Sequence, residues 1–120
     1  EALSGTLVFS IDRCNPQDHA GFLWAIARLG GSPATAVSTF AASAAVRAHE
    51  FGPTHLSATI WAVAASSAKQ PELFSAALSR LADDDFCRSM NSRHTANCIW
   101  AFAKASYDLG GLGGEGLWRL

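Results

Sequence analysis

Charge is scarce in this sequence. Asp, Glu, Lys and Arg make up 16% of its 120 residues, against roughly 25% in an average soluble domain. What charge there is nearly cancels: nine basic side chains stand against ten acidic ones, a formal net of −1. No global basic field therefore draws in nucleic acid, and any such contact has to be local. So few charges also point to a surface that meets other protein as well as water. Cysteine is limited to Cys14, Cys87 and Cys98. An odd set of three excludes a fully paired disulfide framework and fits a reducing compartment. Long apolar runs are missing too. A spanning helix needs roughly 20 such residues, and Ser, Arg, His and Lys interrupt the Ala-rich stretches well before that, so no helical membrane insertion is expected. No signal or transit peptide is legible. The first residue is Glu1 rather than Met, as in a chain whose leader has been removed or in a piece of a longer repeat array. Convincing strand alternation is absent as well. The best candidate, TLVFSI at 6–11, sits where the register described below calls for helix.

Tryptophan, by contrast, is plentiful, and three of its four copies sit in one phrase: LWAIA, IWAVA and IWAFA around Trp24, Trp61 and Trp100. The segments NPQDHAGFLWAIA (15–27), GPTHLSATIWAVA (52–64) and NSRHTANCIWAFA (91–103) align without a gap. Each opens on Asn or Gly followed by Pro or Ser, residues that cap a helix or tolerate its first turn. The spacing predicts first helices at about 17–29, 53–66 and 92–106. Second helices follow at about 33–48 and 70–81, with a short piece near 84–89; Pro33 and Pro71 mark their starts. DDD at 83–85 reads as a solvated loop. A recurrence of 37 and then 39 residues, two helices per unit, predicts an all-α protein: a short α-solenoid of stacked helical hairpins. The units are 15–51, 52–90 and 91–109. A partial unit at 1–14 precedes them, and a Gly-rich tail at 110–120 follows.

On a helical wheel, Ala20, Leu23, Trp24 and Ala27 share one arc, as do Ser57, Ile60, Trp61, Ala64 and Ala96, Ile99, Trp100, Ala103. This arc is expected to be the buried one, with each Trp filling the gap between hairpins. A buried indole covers on the order of 200 Å², worth several kcal/mol at about 25 cal/mol/Å². The tryptophans are thus expected to be structural repeat anchors.

These residues resemble a known family. NPQDHAGFLWAIARLG is similar to the opening helix of octotricopeptide-type and related heptatricopeptide-type repeats. Asn15, Pro16, Gln17, Asp18, Ala20, Leu23, Trp24, Ala25, Ala27, Leu29 and Gly30 carry the likeness in the first unit. Asn91, Ala96, Asn97, Trp100, Ala101, Ala103 and Lys104 carry it in the third, and the second keeps Pro53, Leu56, Trp61, Ala62 and Ala64. PELFSAAL at 71–78 resembles the family's second helix. The resemblance implies a mitochondrial or chloroplast α-solenoid that binds organellar RNA, in some cases as a fixed part of an organellar ribosome.

The opposite arc of the first helices holds Asp18, Gly21, Ala25 and Arg28, then His55, Ala58, Ala62 and Ala65, then His94, Asn97, Ala101 and Lys104. Helical repeats read RNA with a few side chains per unit along such a stripe, and basic residues nearby meet phosphate. The expected contacts are Arg28 and Lys104 to phosphate, His55, His94 and Asn97 to bases, and Arg93 at a helix start. Other signals are weaker. Gly111, Gly113 and Gly116 match a dinucleotide-binding spacing but lack the preceding strand and following helix that such a site needs. Cys87, His94 and Cys98 lack a fourth zinc ligand. Ser, His and Asp occur without a nucleophile motif. No catalysis, cofactor or metal is therefore expected. The function expected is a non-catalytic RNA-binding helical-repeat module in a larger organellar ribonucleoprotein. The alternative is a protein–protein scaffold subunit without RNA contact. Either way, protein subunits of a larger complex, or a fold-back of Leu117 and Trp118, would cover the ends of the array.

Overall fold

A computed structural model describes residues 11–30 and 34–108. Among these the regular structure is entirely helical, without a strand. The helices are α1 (Pro16–Leu29), α2 (Ala34–Val46), α3 (Pro53–Ala65), α4 (Pro71–Leu81), α5 (Asp84–Arg88) and α6 (Ser92–Asp108), with 3-10 turns at Ile11–Arg13 and Ala48–Glu50. The expected partial unit at 1–14 and the tail at 110–120, with Leu117 and Trp118, lie wholly or mostly outside the described residues, as does Pro33.

The helix starts follow from local chemistry. Asn15 Oδ1 accepts from the Asp18 N–H at 2.8 Å, and Asp18 Oδ2 accepts from the Asn15 N–H at 2.9 Å. This reciprocal box satisfies two otherwise orphaned donors, and Pro16 sits where its missing N–H costs nothing. At α6 the same box is built with histidine: Asn91 Oδ1 accepts from the His94 N–H at 2.9 Å, and His94 Nδ1 accepts from the Asn91 N–H at 3.2 Å. α3 and α4 begin at Pro53 and Pro71 without a side-chain cap.

Two helix ends use the left-handed region. Gly30 closes α1 at φ 74°. Ser67, its counterpart 37 residues on, takes φ 56° after α3. There the Ser67 and Ala68 N–H groups donate to the Ala64 and Val63 carbonyls at 3.0 and 3.3 Å, the double closure of a Schellman end. The aspartate run 83–85 differs from expectation. Asp83 Oδ1 accepts from the Asp85 and Phe86 N–H groups at 2.8 and 3.3 Å, so the run starts α5 rather than forming an open loop. Carboxylates at a helix N-terminus are favoured by its partial positive charge.

The helices form two layers. In one, α1 packs on α3 and α3 on α6; in the other, α2 packs on α4. Contacts within the first layer join equal heights: Thr54 with His94 near the starts, and Lys104 with Ser67 near the ends. α3 and α6 therefore run in the same sense. The core between the layers holds Leu23, Ile26, Val37, Phe40, Phe51, Leu56, Ile60, Val63, Leu73, Phe74 and Phe86, with alanines where backbones approach. Arg80 of α4 crosses it at one edge, donating to the Phe51 carbonyl at 3.0 Å and resting 4.5 Å above the Phe86 ring.

Two buried polar groups, the Thr59 hydroxyl and Arg80 Nε, lack a hydrogen-bond partner among the described residues. Of the two residues, Thr59 is fully buried. A buried hydroxyl without a partner costs about 1–3 kcal/mol. Thr59→Val keeps the shape and removes the orphan. It should stabilise the fold by about 1 kcal/mol and raise the melting temperature by about 4–8 °C, as read by thermal circular dichroism.

Candidate nucleic-acid interface

The first layer carries one indole per helix at matched height. The Trp24 and Trp61 rings lie 6.3 Å apart between centroids, tilted by 32°, and the Trp61 and Trp100 rings 5.6 Å apart, tilted by 33°. This ladder runs across all three repeats of the phrase that first marked the sequence. Its location corrects the expectation of deep burial. Trp24 and Trp100 are 42% and 43% exposed, and Trp61 is half-buried. The deep places go to Leu23 and Ile60, at 1% and 0%. Neighbouring helix positions differ by 100°, so Leu23 aims into the core and Trp24 turns towards the layer's surface. The indoles do link one repeat to the next, but along an outer ridge.

Basic side chains stand at both ends of the ladder, each four residues beyond its Trp, on the same helix face. The Arg28 guanidinium lies 4.8 Å from the Trp24 ring centroid, a cation–π distance. Lys104 follows Trp100, and its Nζ donates to Ser67 Oγ at 2.9 Å. Between them α3 offers the half-buried Ala65.

Of the other expected contact residues, Asn97 lies one turn before Trp100, while Arg93, His94 and His55 lie toward the helix starts. His94 is ten residues before Lys104, about 15 Å along an α-helix. Its Nδ1 is occupied as an acceptor in the capping box, so Nε2 carries the ring proton and donates to Thr54 Oγ1 at 3.2 Å. His55 is half-buried at the matching place in α3, Asn97 is half-buried on α6, and Arg93 is exposed beside the cap. Part of the arc assigned to ligand is turned inward on α3 and α6. Ala62 and Ala101 are both fully buried, whereas Ala25, on the first described helix of the layer, is exposed. A single-helix wheel cannot separate a face that meets water from one that is turned inward. The signal that could have done so was alanine at all three positions, since alanine admits close backbone approach.

Sequence reasoning gave no role to His19, which is completely buried. Its Nδ1–H donates to the Asn15 carbonyl at 2.8 Å, and its Nε2 accepts from the Ser43 hydroxyl at 2.8 Å. Edge-on ring contacts to Phe40 and Phe51, at 5.3 and 5.6 Å, complete its surroundings. Burial holds its pKa below the ordinary 6.5. The ring is a neutral pin between α1 and α2 in a place that α3 fills with Leu56.

Reactive groups are sparse. Burial pushes the Cys98 thiol up to about 11, which leaves it protonated at neutral pH and a poor nucleophile. Cys87 is exposed and its thiol donates to the Leu81 carbonyl. Among the described residues no three His, Cys, Asp or Glu side chains gather into a metal-ligand set, and no described helix is long and apolar enough to cross a membrane.

The fold and ladder thus define an all-helical, two-layered protein with an aromatic ridge flanked by cations. Neither a protein-family model, nor a curated protein, nor a solved structure matches the chain.

Proposed function

We propose that the chain is a segment of α-solenoid, built of helical hairpins at 15–51, 52–90 and 91–109, that binds single-stranded RNA along the exposed edge of the Trp ladder. It acts without catalysis as part of a larger mitochondrial or chloroplast ribonucleoprotein, such as an organellar ribosome. The observation that carries the reading is the ladder itself: three half-exposed indoles in register, with Arg28 at one end and Lys104 at the other. Aromatic platforms with nearby cations bind single strands by base stacking, worth about 1–3 kcal/mol per base, and by phosphate contact. Trp100 lies tilted against Trp61, and its exposed part is the natural seat for a first base. Arg93, His55, His94 and Asn97 lie along the same layer nearer the helix starts, where they would meet the strand beyond the ladder. The resemblance to octotricopeptide-type repeats supports the same assignment.

The test is a titration with a single-stranded oligoribonucleotide at several salt concentrations, followed by the quenching of indole fluorescence and by anisotropy. Each phosphate contact contributes about −0.7 to the slope of log K against log salt. Arg28→Ala with Lys104→Ala should flatten that slope by about 1.4, and Trp100→Ala should weaken binding roughly 5- to 100-fold, as loss of one stacked base implies. Binding that survives all three changes, or no binding at low salt, would overturn the reading. The second reading, a scaffold subunit without RNA contact, draws support from the net charge of −1 and from the large apolar side chain left open at Ile99.

A further inference from the structure

The two outer faces of the first layer are the halves of an interface that the chain already makes twice internally. Leu23 of α1 and Ile60 of α3 are buried in the core, at 1% and 0% exposure, whereas Ile99 holds the same register on α6 at 66%. Ala62 and Ala101 are fully buried, whereas Ala25 at the same register of α1 is exposed. Gly21, one turn earlier on that face, has no atom of another described residue within 4 Å of where a Cβ would stand. The outer ridge of α6 carries Ser92, Thr95, Ala96, Ile99 and Ala103, all exposed and none charged. That composition is foreign to a helix face designed for water and usual for one designed for another helix.

We propose that the chain associates with a second copy of itself head to tail, the outer face of α6 receiving the outer face of α1 of the next copy. The internal contacts supply the register. Thr54 of α3 meets His94 of α6 at 3.2 Å, and these hold the second and third positions of their helices. Carried forward one step, the same contact sets Arg93 of one copy against Asp18 of the second copy, a cation facing an anion. Arg93 is exposed and in no ion pair with another described residue. Asp18 uses Oδ2 in its cap, which leaves Oδ1 to the second copy. The ladder continues in the same step, with Trp24 of the second copy laid against Trp100. The contact is heterologous, joining two different faces, so each copy keeps one free end and longer assemblies follow. It draws on the first layer alone, which makes it weak and dependent on concentration. The contact would cover the parts of Trp100 and Arg93 that the proposed function offers to RNA, so the two occupants compete for that edge, and the association is tested without RNA.

Sedimentation velocity of the full chain over a wide concentration range is the measurement. The average mass should climb from that of the monomer past that of the dimer as concentration rises. Ile99→Asp spoils one face and Ala25→Arg the other. Both positions are exposed, so both variants should keep the wild-type far-ultraviolet circular dichroism. Each alone should be monomeric, and their equimolar mixture should form a dimer and nothing larger, because each retains the face that the other lacks. Arg93→Glu should weaken the wild-type association and invert its response to salt. A wild-type chain that stays monomeric at its highest soluble concentration overturns the proposal, including the case where removing residues 109–120 then releases association, since that segment would be the true occupant. Association that persists unchanged in both single variants, or a mixture of the two that stays monomeric, overturns it as well.

Discussion

Replacing His19 by alanine should destabilise the protein by about 3 kcal/mol, near the lower end of the range for truncating a buried aromatic ring. The ring is fully buried, and two 2.8 Å hydrogen bonds and two edge-on phenylalanine contacts depend on it. Its loss opens a cavity at the meeting of α1 and α2 and strands the Ser43 hydroxyl. Against a total stability of about 5–15 kcal/mol for a domain, that is a large share, visible as a lower urea midpoint with an unchanged slope. His19→Leu copies the residue that α3 uses at the same register and should cost much less.

The same side chain gives stability a pH dependence. Burial lowers the native pKa below 6.5, so the unfolded chain takes up a proton first as pH falls. The stabilising contribution is complete above about 6.5 and is lost progressively below it, towards the native value. Glu50, whose carboxyl is held low by its hydrogen bonds with Arg47, acts only below its ordinary 4.5. Urea midpoints measured from pH 7 to pH 5 should therefore fall in the wild type and stay nearly flat in His19→Leu. Equal slopes in the two proteins would show that the ring is not the titrating group.

Trp61→Ala should cost about 3 kcal/mol, and more than the same change at either end of the ladder. A half-buried indole loses less burial than a core one, which places the cost at the low end of the usual range for Trp to Ala. However, Trp61 makes two ring contacts where Trp24 and Trp100 make one each, and each aromatic pair adds about 0.5–1.5 kcal/mol beyond area. Trp24→Ala and Trp100→Ala should cost about half as much, since both rings are more than two-fifths exposed and lose proportionately less burial. Near-ultraviolet circular dichroism should register the break at Trp61 most strongly, because it leaves the remaining two indoles without a ring between them. Three equal, small costs would mean that the indoles decorate the repeats rather than join them.

Much of the local structure was legible in the chain. Asn15 before Pro16, Gly52 before Pro53, Pro71 and the Asn91–Ser92 pair each announce a helix start, and the structure begins helices at Pro16, Pro53, Pro71 and Ser92. Caps and prolines act through the nearest few residues, so nothing distant can override them. The misreadings share a cause. The aspartates at 83–85 carry the composition of a loop, yet Asp83 caps the short helix expected near 84–89, and Phe86 of that helix packs into the core. The tryptophans carry the composition of a core, and what brought them to the surface was competition with Leu23 and Ile60 for the inward direction. His19 had no role in the sequence reading, because its partners, Ser43 and the Asn15 carbonyl, are brought to its two nitrogens only by the fold.

The sequence by itself determined that this protein is helical, where most of its helices start, and that its helical phrase recurs three times, because turn chemistry and 3.6-residue periodicity are written in neighbouring letters. Only the tertiary structure decided which face of each helix meets the second layer, which meets the previous helix and which is left to water. A helix in this array touches neighbours on several sides, and one wheel cannot apportion small apolar residues among them. That apportioning set the indoles in a half-exposed row, drew Lys104 to Ser67, and left Ile99 and Ala25 as the open ends of a contact that the chain makes twice within itself.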